Sequence, residues 1–226
     1  MLIAEDLALL LTDDESGRPT TSSQRVDLAL AGGLLLELLM TGRVAVAGAG
    51  HPAGKDRVVI LDPAPTGDPV LDEAVARLAE KPRKAKDALP RLTKDLRPAL
   101  LDRLTRNGLL RLEESKILGL FPTRAHLPGD EGYERSLRAA VHDVLVVGRT
   151  PTEREVAVVS VLQSVDQVPR VLGEAGVPAR ELRRRAKALA EGEAVGVAVR
   201  QAIQAMDGAM TAVMVATTAV VVAGSG

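Results

Sequence analysis

The residues best placed to do chemistry lie between Arg91 and Arg111, in RLTKDLRPALLDRLTRNGLLR. Six basic residues stand there against two acidic ones, in a chain of net charge -1. Positive charge at this density has three ordinary uses. It grips a nucleic-acid backbone, holds an anionic lipid head group, or forms the wet face of a helix. Arg97 precedes a proline, which biases its backbone away from the helix. Pro98 is a good first helical residue, so Arg97 is expected at the mouth of a helix running to Gly108. A helix mouth carries free amides and partial positive charge, which suit phosphate or sulfate. If residues 92–96 make one helical turn, Lys94 points the same way as Arg97. Arg91 could join them.

Other chemistry has little to stand on. The three histidines, His51, His126 and His142, lack metal-ligand spacing, so no metal is expected. There is no cysteine, which excludes disulfides and thiolate catalysis. PAPTGDPVLDEA bears a glycine but lacks the Walker lysine and hydroxyl, so a nucleotide loop is not expected. Asp72 and Glu73 are adjacent and would not face one substrate. No enzyme activity and no cofactor are expected. Phe121 and Tyr133 are the only aromatics among 226 residues. That argues against stacking on single-stranded nucleic acid, and it leaves the core to Leu, Val and Ala, which suits packed helices.

The elements that must position the basic run can be read along the chain. Ile3 to Leu11 reads as a short helix, followed by a turn-rich linker holding Gly17, Arg18 and Pro19. Ser22 or Ser23 can cap a helix from Val26 to Met40. That helix is apolar nearly all round, so it is expected to be buried, and Gly32 and Gly33 imply a close helix neighbour. TGRVAVAG and DRVVILD read as a hairpin. Asp68 caps the next helix, with Pro69 at its first position. KPRKAKDALPRL reads as a basic stretch broken by Pro82 and Pro90. Two short strands follow Gly108, then a helix from EGYERSL, then one long helix over TPTEREVAVVSVLQSVDQVPRVL, with a capping box at Thr152 and Glu155. A basic helix, PARELRRRAKALAEGEA, precedes an apolar C-terminal segment. Its uncharged run from Gly208 to Gly224 is at the short edge of a membrane span, and a buried helix is the expected reading. The N-terminus lacks the basic start of a signal peptide. No repeat or long linker divides the chain, so one domain over 1–226 is expected.

The order of these segments resembles the Golgi phosphoprotein 3 family. The resemblance is carried by LIAEDLALLLTDDESG, ALAGGLLLELLMTGRVAV, VVILDPAPTGDPVLDEAVARL, LLDRLTRNGLLRLEESKILGLFPTRAHLP and EREVAVVSVLQSVDQVPRVL. Of these, PTGDPVLDEA and LTRNGLL are the most specific. The Ala/Arg/Val-rich composition looks like that of a bacterial member. The resemblance implies a mainly α fold, a helical globule around an apolar central helix with short β-hairpins. It implies a non-enzymatic protein, cytoplasmic and peripherally membrane-associated, that binds phosphatidylinositol 4-phosphate or a similar anionic phospholipid.

The family's phosphate pocket uses a tryptophan, an arginine and two basic residues three apart. The last two fall on Lys94 and Arg97. The tryptophan position falls on Ser22 and the other arginine on Ala31, and both are departures. Arg18 and Arg25 lie close enough in sequence to compensate. The family also self-associates through a hairpin, here Lys116 to Pro128, with Leu120 and Phe121 near its tip. Either Phe121 makes that contact or it folds back on the core. Some relatives bind tails of membrane proteins, though no groove for them is legible. Two alternatives stay open. One is an oligomeric adaptor whose lipid site has decayed. The other is a winged-helix nucleic-acid binder, suggested by a helix ending in RNGLL before two strands, although the near-zero net charge speaks against nucleic acid as a partner.

Overall fold

The computed structural model describes residues 1–117, 121–192 and 197–223. Its architecture is mainly α, with ten α-helices among the described residues and two small antiparallel sheets. Helix α2 (Ser23–Met40) is the axis. Leu28, Leu30, Ala31, Leu34, Leu35, Leu36 and Leu38 of α2 are all buried, as a sequence without a polar face requires. Ser22 caps α2 by accepting from the Arg25 amide at 3.4 Å.

Gly32 and Gly33 admit two different neighbours. A Cβ at Gly33 would stand 2.6 Å from Cδ1 of Leu7 and 3.2 Å from the Ala4 nitrogen, both in α1 (Ile3–Leu10). A Cβ at Gly32 would stand 3.4 Å from the side chains of Met206 and Met210 in α10 (Val197–Ala223). The expected close helix neighbour is thus two helices, one at each glycine. Helix α10 packs on α2 through buried Ile203, Met206 and Met210. Among the described residues no helix is long and apolar enough to cross a membrane.

Strands β1 (Val44–Val46) and β2 (Arg57–Ile60) form the expected antiparallel hairpin, with Val44 opposite Ile60. A two-residue strand, β3 (Arg83–Lys84), adds to β2. Between them lies α3 (Pro69–Ala79), capped by Asp68, whose carboxylate accepts from the Val70 amide at 2.9 Å. Strands β4 (Leu110–Ile117) and β5 (Phe121–Pro128) pair antiparallel from Leu110↔Pro128 to Ile117↔Phe121. Leu120 lies outside the described residues, as does the side chain of Phe121, so the contact read at that tip stays with the sequence.

Three expectations about helix boundaries are corrected. Pro90 does not break the basic stretch; it lies inside α4 (Ala85–Leu92), a short helix whose other face buries Ala85, Ala88, Leu89 and Leu92. The next helix, α5, runs Leu96–Arg106 and does not begin at Pro98. Asp95 adopts a left-handed conformation, φ 55°, and turns the chain into α5 two residues early. Pro98 is then the third helical residue, where the absent N–H had no intrahelical partner to lose. The long helix after Thr152 divides into α7 (Glu153–Ser164) and α8 (Val168–Leu172), with left-handed Asp166 between them. Helix α6 (Glu131–His142), a π-helical turn at Asp143–Val147 and basic α9 (Ala179–Glu191) complete the outer layer.

Helix α1 is buried along its length, including Glu5 and Asp6. Burying carboxylates costs several kcal/mol unless they are paired and hydrogen-bonded. Glu5 accepts from Arg103 Nε at 2.7 Å and from the Leu2 amide at 2.7 Å. Asp6 accepts from Arg154 Nη2 at 2.6 Å, from Arg154 Nε at 3.1 Å and from the Tyr133 hydroxyl at 2.8 Å. Arg103 also reaches Asp68 at 2.7 Å, and Arg154 lies 3.5 Å from Glu37. Burial pushes the Asp6 carboxyl above its ordinary value, against the pull of Arg154 and Tyr133. The Tyr133 phenol is pushed up in turn, by burial and by its bond to Asp6.

Candidate functional site

The linker after α1 closes on itself, with Thr12 bridging Pro19 and the Asp13 amide donating to the Arg18 carbonyl at 2.8 Å. Gly17 sits in this loop at φ +62°. Its carbonyl accepts from the His126 amide of β5 at 3.4 Å, and a Cβ on Gly17 would lie 2.6 Å from that same nitrogen. Only glycine permits both the left-handed turn and this approach. The contact sets the main-chain edge of β5 alongside the linker. Arg124 and His126, two residues apart in a strand, share one face of β5.

The result is an open cavity of about 220 Å³. Arg18 from the linker, Arg97 from α5 and Arg124 and His126 from β5 contribute its polar walls, with Thr12 and Ser23. Its floor is apolar, from Ala8, Leu11, Val26, Leu30 and Leu101. The charges are not equally held. Arg97 Nε lies 3.1 Å from Asp27 of α2, and both side chains are partly exposed. Burial pushes the Asp27 carboxyl up, and Arg97 works against that shift. Arg124 pairs with Glu114 across the hairpin at 3.0 Å, with both side chains exposed. Among the described residues Arg18 enters no ion pair. Burial lowers the pKa of His126; Asp102 of α5 opposes the shift and Arg124 adds to it.

The residues singled out from sequence are thus divided. Arg18 and Arg97 line one cavity. Lys94 lines another, of about 230 Å³, between α2, α3 and the start of α5. That second cavity is mainly apolar, with Leu34, Val70, Ala74, Leu92, Leu96 and Ala99 in its walls and Glu73, Arg77 and Asp95 beside Lys94. The Lys94 carbonyl accepts from Arg77 Nη1 at 2.6 Å. The three-residue spacing does not bring Lys94 and Arg97 to one cavity because left-handed Asp95 stands between them, inside the single helical turn expected over residues 92–96. Arg91 is exposed and pairs with Glu80 at 3.3 Å. Arg25 is exposed on the first turn of α2 and lines neither cavity. Ser22 is the cap of α2, and Ala31 is fully buried, so neither adds charge to the site.

Sequence reasoning missed Arg124 and His126. Two signals for them were present. The alternation in PTRAHLP puts both on one side of a strand, and Gly17 marks a turn that something else must approach. No grouping of three or more histidine, aspartate or glutamate side chains suited to a metal occurs among the described residues.

A helical globule around a buried apolar helix, carrying an open cationic cavity walled on one side by a hairpin, is the class of protein these features define. The chain belongs to the Golgi phosphoprotein 3 (GPP34) family, whose model matches residues 3–206. The match spans every element that lines the cavity. The comparison with curated proteins returned no match.

Proposed function

We propose that this protein is a non-enzymatic, peripheral membrane protein whose cationic cavity takes the phosphate of an anionic phospholipid, of the phosphatidylinositol 4-phosphate type, at a cytoplasmic membrane face. The observation that carries the reading is the convergence of Arg18, Arg97 and Arg124, from three separate segments, on one open cavity. Guanidinium groups suit phosphate because they offer several N–H donors in one plane. Arg18 has no competing ion pair among the described residues, while Asp27 and Glu114 hold Arg97 and Arg124 in place. Membership of the family supports the same reading. Liposome flotation with and without phosphatidylinositol 4-phosphate tests it, wild type beside the double variant Arg18→Ala/Arg97→Ala. The reading expects the wild type to float with the lipid, less so as salt rises, and the variant to stay behind. Equal flotation of both proteins would remove the site.

A second reading, a self-associating adaptor, rests on Leu112. This apolar side chain of β4 is 42% exposed on the hairpin. Sizing of Leu112→Asp beside wild type tests it, and an unchanged size would remove the hairpin contact.

A further inference from the structure

Among the described residues, one titratable group in the cavity is neither a fixed cation nor part of an ion pair. His126 lines the same space as Arg18, Arg97 and Arg124, and its main chain is fixed by the Gly17 contact and by pairing opposite Leu112. We propose that His126 is a ligand of the oxyanion bound in this cavity and that it takes up a proton as the anion enters, so that binding tightens as pH falls. The proposal rests on the anion-binding reading above and adds a residue and a pH dependence to it.

The charges around His126 set the sign. Arg18 approaches from the linker, Arg97 from α5 and Arg124 from β5. Two carboxylates nearby are engaged elsewhere, Asp27 of α2 on Arg97 and Glu114 of β4 on Arg124. Asp102 of α5 is the carboxylate that favours the imidazolium. With the cavity free of anion, burial and the neighbouring guanidinium disfavour the imidazolium, and burial is the larger cause. An oxyanion with two negative charges reverses the local field. A protonated imidazole then offers it an N–H donor in place of a lone pair. The ligand class is a doubly charged tetrahedral oxyanion, whether a phosphate monoester on a lipid or a free anion. A phosphodiester, with one charge, would draw the proton less strongly.

Sulfate separates the protein's titration from the ligand's, because it does not titrate across the neutral range. The experiment follows the ring signals of His126 in the whole chain by NMR between about pH 5.5 and 8, with and without saturating sulfate. His126→Gln assigns the signal. We expect the His126 pKa to rise on sulfate binding, and sulfate affinity to weaken roughly tenfold from low to high pH for each unit of that rise. In His126→Gln the affinity should be flat with pH. Vesicles of neutral lipid with and without phosphatidylinositol 4-phosphate form the second arm. A pH-dependent response to those vesicles assigns the anion to a lipid, and a response to sulfate alone assigns a free anion; the proposal holds in either case. Sulfate-dependent shifts at the Gly17 and Arg97 amides with an unmoved His126 pKa would overturn the proposal and leave the anion site standing. No shift at those amides and no vesicle response would overturn both. If His126→Gln fails to fold, the wild-type pKa measurement still decides.

Discussion

Two sets of arginines in this molecule do opposite things. Around α1, Arg103 and Arg154 each meet two carboxylates, and one acid of each set, Glu5 and Asp6, is buried. Around the cavity, Arg97 and Arg124 each meet one carboxylate and Arg18 meets none among the described residues. The residue type is the same, and the sequence alone gives no sign of the difference. The number of acids each guanidinium touches separates a structural arginine from one open to a ligand. The first set is expected to carry stability and no binding, and the second binding and little stability.

The largest test of that contrast is Arg154→Ala. It leaves Asp6 buried with only the Tyr133 hydroxyl, and breaking a buried pair from one side costs about 3–5 kcal/mol. Urea unfolding should show that loss, while the folded fraction keeps its anion affinity. Arg18→Ala should do the reverse. Removing a charge-assisted bond to phosphate costs about 1.5–3 kcal/mol of binding, read by vesicle titration, with the urea midpoint barely moved. Similar stability losses in both variants would erase the distinction.

Gly17→Ala sharpens the comparison, because Gly17 joins the linker to the hairpin. Its left-handed backbone alone makes alanine cost roughly 1–2 kcal/mol, and the close approach to the His126 nitrogen must also open. We expect a modest loss of stability and a larger loss of binding, since Arg124 and His126 would move from Arg18. The smallest effect concerns Glu155, far from the cavity. Burial alone would raise its carboxyl, but hydrogen bonds from Arg149 and Thr152 outweigh that and hold it below the ordinary value. The stabilisation is therefore present above the ordinary carboxylate pKa and disappears as pH falls through the lower folded value. Glu155→Gln keeps the capping-box bond but loses the charge, so it should cost about 0.3–1 kcal/mol near neutral pH, and the difference from wild type should vanish in acid.

Local rules were legible in the sequence at the helix starts that a side-chain cap decides. Asp68 with Pro69, and Thr152 with Glu155, cap the helices they were expected to cap. The uniformly apolar α2 is the buried axis, and its two glycines mark close packing. The site was less legible because it depends on contacts far apart in the chain. Gly17 meets His126 across more than a hundred positions, and no local spacing encodes that. Lys94 and Arg97 line different cavities for a different reason. Asp95 takes a left-handed backbone that aspartate tolerates better than most residues, and one such residue undoes an argument from helical periodicity.

The back-to-back glycines of α2 bear on how this protein can vary. Each leaves room for a neighbour that already occupies it, Leu7 on one side and Met206 with Met210 on the other. A methyl group gained at Gly33 has to be matched by bulk removed from α1, whereas one at Gly32 would reach only ordinary contact with the methionines of α10. Change along this axis should therefore come as compensated exchanges between the first and second helices, with more latitude where the last helix meets Gly32.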